Sequence, residues 1–167
     1  MKTNFKKWVL EYDPVANQQL YAGVEKSASE ECNCSDCKNF LKMRDKIYPK
    51  EILDLYFMMG IDPNKEIYLT HTARKEPGLH YYTGAHISNG SFSTCNNDLL
   101  SKIRKFIGLP QKIKYKEITT TFLMLISSPV VLPLASTIKV QRDKIFQIEF
   151  FVLVPWVLES EAEPTYG

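Results

Sequence analysis

The sequence lacks an apolar run long enough to cross a bilayer. Its most apolar stretch, residues 122–135, contains Pro129 and Pro133 and is shorter than the ~20 residues that a spanning helix needs. The first eleven residues carry lysines, but they have neither the apolar centre nor the small-residue cleavage site of a signal peptide. We therefore expect a cytoplasmic protein without a membrane partner. Its cysteines should be reduced, which favours free thiols or metal ligands over disulfides.

The chain also lacks a large excess of positively or negatively charged residues. Lysine and arginine total 21 against 19 aspartates and glutamates, so the net charge of +2 indicates neither a nucleic-acid nor a membrane surface. The chain has no P-loop, no G-x-S-x-G elbow, no H-E-x-x-H pair and no dinucleotide-binding fingerprint. The sequence therefore leaves open whether the protein is an enzyme.

Repeats, linkers and low-complexity segments are absent as well. A chain of 167 residues with 44% apolar and 24% charged residues is typical of one globular domain with its own core. We expect a single domain over residues 1–158 and a flexible acidic tail over residues 159–167.

The clearest local pattern is a helix-proline-helix unit. Ser35 or Asp36 can cap a helix whose apolar residues recur at steps of three and four. Pro49 ends this helix and can begin a second one over residues 50–59. Gly60 fits the left-handed position that follows a helix.

Most of the remaining chain predicts strands. They are expected over residues 5–12, 66–72, 79–87, 114–127 (as one strand or two), 137–141 and 144–154. Residues 17–31 are predicted to be a loop, Asn89-Gly90 a turn, and residues 96–107 one further helix. The predicted fold class is α+β, with a mostly antiparallel sheet and the helices packed on one face.

A cluster of cysteines precedes the first helix of the helix-proline-helix unit. Cys34 and Cys37 have the spacing that lets two thiolates bind one zinc ion, with Cys32 as a third ligand and Cys95, His80 or His71 as candidates for the fourth. The same thiols could instead be small buried hydrophobes, or a redox pair whose thiolate is stabilised by a helix N-terminus. Redox chemistry of the thioredoxin type would need a βαβ context, which is not predicted here.

A second candidate site would bind a ligand. His80 and Tyr82 lie on a predicted strand, and Lys112, Lys114 and Lys116 alternate along one face of another. Such a basic face next to aromatic side chains is typical of nucleotide or phosphate binding. The alternative is an edge strand that its lysines keep from aggregating.

The two strands around residue 75 are expected to form a hairpin. If its turn is centred between Lys75 and Glu76, His71 lies directly opposite His80. Such a histidine pair could share a ligand or act as a base and its orienting partner.

Several of these motifs together resemble a family of small uncharacterised bacterial proteins. The resemblance rests on Cys34-x-x-Cys37-x-Asn39-Phe40, on Met59-Gly60-Ile61-Asp62-Pro63, and on the closing Val154-Pro155-Trp156. It covers residues 9–159. Because the family has no assigned activity, the resemblance implies an intact domain and its fold, but no function.

The sequence favours a non-enzymatic cytosolic binding or interaction domain without a cofactor, whose cysteines are buried thiols or, alternatively, ligands of a structural zinc. Its partner would be an unknown small molecule or protein, and nucleic acid is less favoured. The alternative is an enzyme or sequestering protein that acts on a nucleotide or a phosphorylated small molecule. We expect Asn39 and Phe40 to fix how the helix-proline-helix unit docks.

Overall fold

The computed structural model describes residues 1–94, 116–128 and 144–164. Its helices are α1 (Pro14–Ala22), α2 (Ala28–Glu31), α3 (Ser35–Ile47) and α4 (Lys50–Met59). Its strands are β1 (Lys2–Phe5), β2 (Trp8–Tyr12), β3 (Tyr68–Glu76), β4 (Leu79–Thr94), β5 (Lys116–Thr119), β6 (Phe122–Ser127) and β7 (Ile145–Pro155). The predicted α+β class is confirmed.

The seven strands form one antiparallel sheet in the order β1-β2-β4-β7-β6-β5, with β3 also paired to β4. Strand β4 organises the sheet because it is 16 residues long and pairs with three others. The prediction for residues 114–127 is confirmed as two strands, β5 and β6. The helix predicted over 96–107 and the strand over 137–141 lie outside the described residues.

The predicted turn at Asn89-Gly90 is wrong, because β4 continues straight through both residues. Gly90 has a φ of 136° and pairs with Tyr12 of β2. A Cβ atom at Gly90 would lie 1.9 Å from the Glu11 carbonyl oxygen. The glycine therefore allows two backbones to approach closely, which is a second common reason for glycine in a strand.

The β3–β4 hairpin forms, but its predicted register is wrong. The turn lies at Pro77 and Gly78, so that His71 is opposite Tyr82 and Arg74 is opposite His80. The register shifts between residues 71 and 73, and a bulge of this kind cannot be read from the alternation of side chains.

The loop predicted over residues 17–31 is also wrong, since it contains most of α1 and all of α2. Asp13 caps α1 by accepting the Val15 and Ala16 amides at 3.0 and 3.1 Å, and Pro14 occupies the first turn. The predicted strand over 5–12 is confirmed for residues 8–12, which form β2, but Phe5 ends β1 and Lys6, with a φ of 52°, lies in the turn between the two strands. Helix α1 escapes prediction because one of its buried residues is the polar Asn17.

The helix-proline-helix unit is confirmed as α3 and α4. Gly60 follows α4 with a left-handed φ of 71°. The unit packs on the sheet through aromatic rings: the Phe40 ring lies 5.6 Å from the Tyr82 ring, and the Tyr48 ring 5.4 Å from the Phe150 ring. None of the helices in the described part of the chain has the length and apolarity to cross a membrane.

Strand β7 buries the predicted apolar face at the centre of the core. The residues on this face are Phe146, Ile148, Phe150, Val152 and Val154. Gln147, on the opposite face, is also buried. Gln147 pairs with Ile87 of β4, which belongs to a second, smaller apolar cluster with Ile67 and Ala85.

Candidate metal centre at the start of helix α3

The three clustered cysteines lie where α2 ends and α3 begins. Cys32 is the C-terminal cap of α2, Cys34 is the N-terminal cap of α3, and Cys37 lies in the first turn of α3. Both caps have extended backbones, so the chain turns between the two helices within a few residues. This turn brings the three side chains together.

The sulfur atoms of Cys32, Cys34 and Cys37 all lie within 4.8 Å of one another. The Cys32 and Cys34 sulfurs are 3.2 Å apart. Two thiolates bound to one tetrahedral zinc at about 2.3 Å would have sulfurs about 3.8 Å apart. Small side-chain rotations are therefore enough for the three cysteines to hold a metal ion.

The three thiols differ in burial and in acidity. Cys34 is exposed and Cys37 is buried. Hydrogen bonding from the Cys34 backbone amide lowers the pKa of Cys32, whereas burial raises the pKa of Cys37. Cys32 therefore offers a thiolate more readily than Cys37 does.

A second group of side chains that can hold a metal lies beside α3. One ligand atom each from Asp36, His71 and His80 falls within 4.8 Å of the others. His71 Nε2 lies 2.9 Å from His80 Nδ1, although the two residues are not directly opposite in the hairpin. His71 is paired with Tyr82, and His80 lies two residues away on the same face of β4, so the His71 and His80 rings are diagonal neighbours with centroids 5.0 Å apart.

The C-terminal segment reaches both groups. Glu163 Oε1 lies 2.9 Å from His80 Nε2, accepts the Gly78 amide at 2.9 Å and pairs with Arg74 Nε at 2.6 Å. Glu161 accepts hydrogen bonds from the Ser35 hydroxyl and from Lys38. The sequence carries no signal for these contacts, because the two glutamates stand in a stretch that reads only as an acidic tail.

Asn39 and Phe40 dock α3 onto the end of β7, as predicted. The Asn39 side chain donates to the Pro155 carbonyl at 3.0 Å and accepts the Val157 amide at 2.7 Å. The Tyr82 hydroxyl donates to the Asp36 carbonyl at 3.1 Å. These partly buried bonds hold the first turn of α3, which carries Asp36 and Cys37, against the sheet.

The residues predicted to bind a ligand are not assembled in the described part of the chain. His80 and Tyr82 are both fully buried in β4. Lys116 is exposed on β5, which lies three strand spacings, or roughly 14 Å, from β4. Lys112, Lys114 and the candidate fourth cysteine, Cys95, lie outside the described residues.

Searches against protein-family models, curated proteins and solved structures find no match to this chain. The resemblance to a family of small bacterial proteins therefore stays a prediction.

Proposed function

We propose that this protein is a non-enzymatic binding or interaction domain in which Cys32, Cys34 and Cys37 hold a structural zinc ion. The observation that carries the proposal is the convergence of the three sulfur atoms within 4.8 Å. Thiolate ligands favour zinc or copper(I) over magnesium or calcium. Zinc is the ion commonly found in structural sites with three or four cysteines.

Three thiolates leave one position of a tetrahedral site. The sequence offers Cys95 for this position, but Thr94, the residue before it, lies twelve residues along β4 from Tyr82, which bonds to the start of α3. Twelve residues of strand span roughly 40 Å, so the described part of β4 does not lead toward the three cysteines. A zinc ion held by these cysteines as a structural site would stabilise the fold.

The short length of α2 also supports a structural role for a metal ion at the α2–α3 junction. Helix α2 has four residues, which is far too short to be stable alone. It is held by Arg44 of α3, which donates to Ser27 Oγ at 3.1 Å and pairs with Glu30 at 3.2 Å. A metal bound by Cys32 and Cys37 would add a second connection between α2 and α3.

Metal analysis of the purified full chain tests this proposal. We expect zinc bound at the cysteines, with loss of one zinc per chain in the Cys34→Ser, Cys37→Ser double variant. Lys46→Ala, an exposed position on the same helix, is the control and should keep its zinc. Cobalt substitution should give the thiolate-to-cobalt charge-transfer band in the wild type and in the control, but not in the double variant.

Two results would overturn the proposal. One is a wild-type chain that shows no thiolate band with cobalt. The other is a metal-free chain in which Cys32 and Cys34 are joined by a disulfide, which would favour redox chemistry instead.

A further inference from the structure

The histidine group differs from the cysteine cluster in its ligand chemistry. His71 Nε2 and His80 Nδ1 are 2.9 Å apart. Two nitrogen ligands bound to one ion at about 2.1 Å are separated by about 3.0 Å at a right angle and about 3.4 Å at the tetrahedral angle. The two imidazoles therefore already have almost the spacing of neighbouring ligands on one metal ion.

Glu163 orients His80 in the way that carboxylates orient histidine ligands. With the proton on His80 Nε2, this nitrogen donates to Glu163 Oε1 at 2.9 Å, and Nδ1 keeps its lone pair directed toward His71. Metal-binding histidines almost always donate their other ring nitrogen to a carboxylate, a carbonyl or water. Arg74 and the Gly78 amide hold Glu163 in place in turn.

The third ligand is a carboxylate. Asp36 offers an oxygen within 4.8 Å of the ligand atoms of both histidines. Its helix is anchored by the bond from Tyr82 to the Asp36 carbonyl, so this carboxylate sits on a rigid support. Two imidazoles and one carboxylate suit first-row transition ions such as iron(II), cobalt(II) or zinc, and they leave coordination positions open.

We propose that Asp36, His71 and His80 form a second metal site, which binds one exchangeable divalent transition ion and in which Glu163 is the positioning residue for His80. The site is separate from the cysteine cluster, and it goes beyond the structural zinc proposed above. Asp36 and His71 are only half-buried, so solvent can reach the site from the side of these two residues. Water or an oxygen-bearing ligand could bind there.

The competing explanation is a purely structural chain of hydrogen bonds from His71 through His80 to Glu163. This chain would support Trp156, whose ring lies 5.2 Å from the His80 ring. Both explanations predict that His80 substitutions destabilise the fold, because His80 is fully buried. Only the metal explanation predicts ion binding that depends on the partly exposed His71 and Asp36.

Cobalt(II) titration of the chelator-treated full chain separates the two explanations. In the Cys34→Ser, Cys37→Ser background, we expect one bound cobalt without the thiolate charge-transfer band. Adding His71→Ala or Asp36→Asn should weaken this binding by more than about 100-fold, and Glu163→Gln by about 10- to 100-fold, the range for a lost orienting partner. Asp45→Asn, an exposed acid on the same helix, should leave the affinity unchanged.

The wild-type chain provides the same test if the double cysteine variant fails to fold. Native mass spectrometry with excess zinc should then find one ion fewer in His71→Ala than in the wild type, while the cobalt thiolate band persists. Unchanged ion uptake in His71→Ala and Asp36→Asn would overturn the second site. Loss of the thiolate band in these variants would also overturn it, because it would mean one shared site.

Discussion

Asn17 shows how a single polar side chain joins three elements of this fold. It is fully buried in α1, donates to the Met59 carbonyl at 2.7 Å and to Ser88 Oγ at 2.9 Å, and accepts the Asn89 amide at 2.7 Å. All of its hydrogen-bonding capacity is therefore used inside the protein. Such a residue reads as a surface residue in a sequence, which is why the sequence predicts a loop where α1 lies.

Replacing Asn17 with alanine should lower the free energy of unfolding by about 1–3 kcal/mol, because buried polar groups of α4 and β4 lose their partner. Denaturant unfolding measures this loss. Gln19→Ala, at an exposed position of the same helix, should change the free energy by less than about 0.5 kcal/mol. Equal effects of the two substitutions would show that the Asn17 network does not hold α1 in place.

His86 is a residue whose burial makes folding depend on pH. Its ring lies 4.8 Å from the Tyr56 ring, 5.9 Å from the Phe150 ring and 6.0 Å from the Tyr48 ring. Burial among these groups lowers the pKa of His86 to about 3. The folded protein therefore keeps His86 neutral, while the unfolded chain takes up a proton near pH 6.5.

Since the unfolded state binds the extra proton, stability should fall as the pH drops below about 6.5, and this loss should continue toward the folded pKa. We expect His86 to contribute about 1.4 kcal/mol per pH unit over the range from pH 6 to 4.5. Unfolding curves in chelator at several pH values should show a steeper decline for the wild type than for His86→Phe. Identical slopes would contradict the burial of a neutral His86.

At the scale of elements, the start of α3 contributes residues to both proposed metal sites. It carries Cys34, Asp36 and Cys37, and Asn39 bonds it to the end of β7. The cysteine spacing and the boundaries of α3 and α4 could be predicted because they depend on neighbours in sequence. The position of Asp36 beside His71 could not, because it depends on the docking of α3.

Gly60, which follows α4, lies where α4 and α1 pack closely against each other. Its φ of 71° strains any other residue, and a Cβ atom there would lie 2.4 Å from the Pro14 carbonyl oxygen of α1. Gly78 is a matched control, because it has a φ of 78° but a Cβ atom there would have no atom of the described residues within 4 Å. The two glycines therefore share the backbone strain and differ in the steric clash.

We expect Gly78→Ala to lower the free energy of unfolding by about 1–2 kcal/mol through strain alone. Gly60→Ala should cost about 1–3 kcal/mol more, since α1 must move away from α4. Denaturant midpoints of both variants measure this difference. If the two substitutions cost the same, α1 and α4 do not pack as closely as the structure shows.

At the scale of the whole molecule, the fold class, the cysteine cluster and the proximity of His71 and His80 could be predicted, but the contributions of Asp36 and Glu163 to the proposed second site could not. The alternation of apolar residues in β7 and the helical periodicity of α3 and α4 are local sequence patterns, and the residues that form these patterns are largely buried in the core. Glu163 and His80 are separated by 83 residues, and nothing in either neighbourhood indicates the other. Such contacts form because the C-terminal segment folds back against the β3–β4 hairpin. No short sequence pattern predicts this arrangement.

The two proposed metal sites have one neighbour in common. Asp36 lies near both: hydrogen bonding lowers the pKa of Cys32 and burial lowers the pKa of His71, and the charge of Asp36 opposes both shifts. A thiolate site suits a permanently bound structural ion, whereas the histidine-carboxylate site suits an ion that exchanges. We therefore expect zinc at the cysteines to survive mild chelation that removes the ion from the histidines.

Zinc-edge X-ray absorption of the His71→Ala chain, loaded with one equivalent of zinc, tests the central claim most directly. This variant removes the histidine site and leaves the cysteines intact. We predict sulfur neighbours at about 2.3 Å from the zinc, three or four in number. A spectrum with only nitrogen and oxygen neighbours at about 2.0–2.1 Å would contradict a zinc site at Cys32, Cys34 and Cys37.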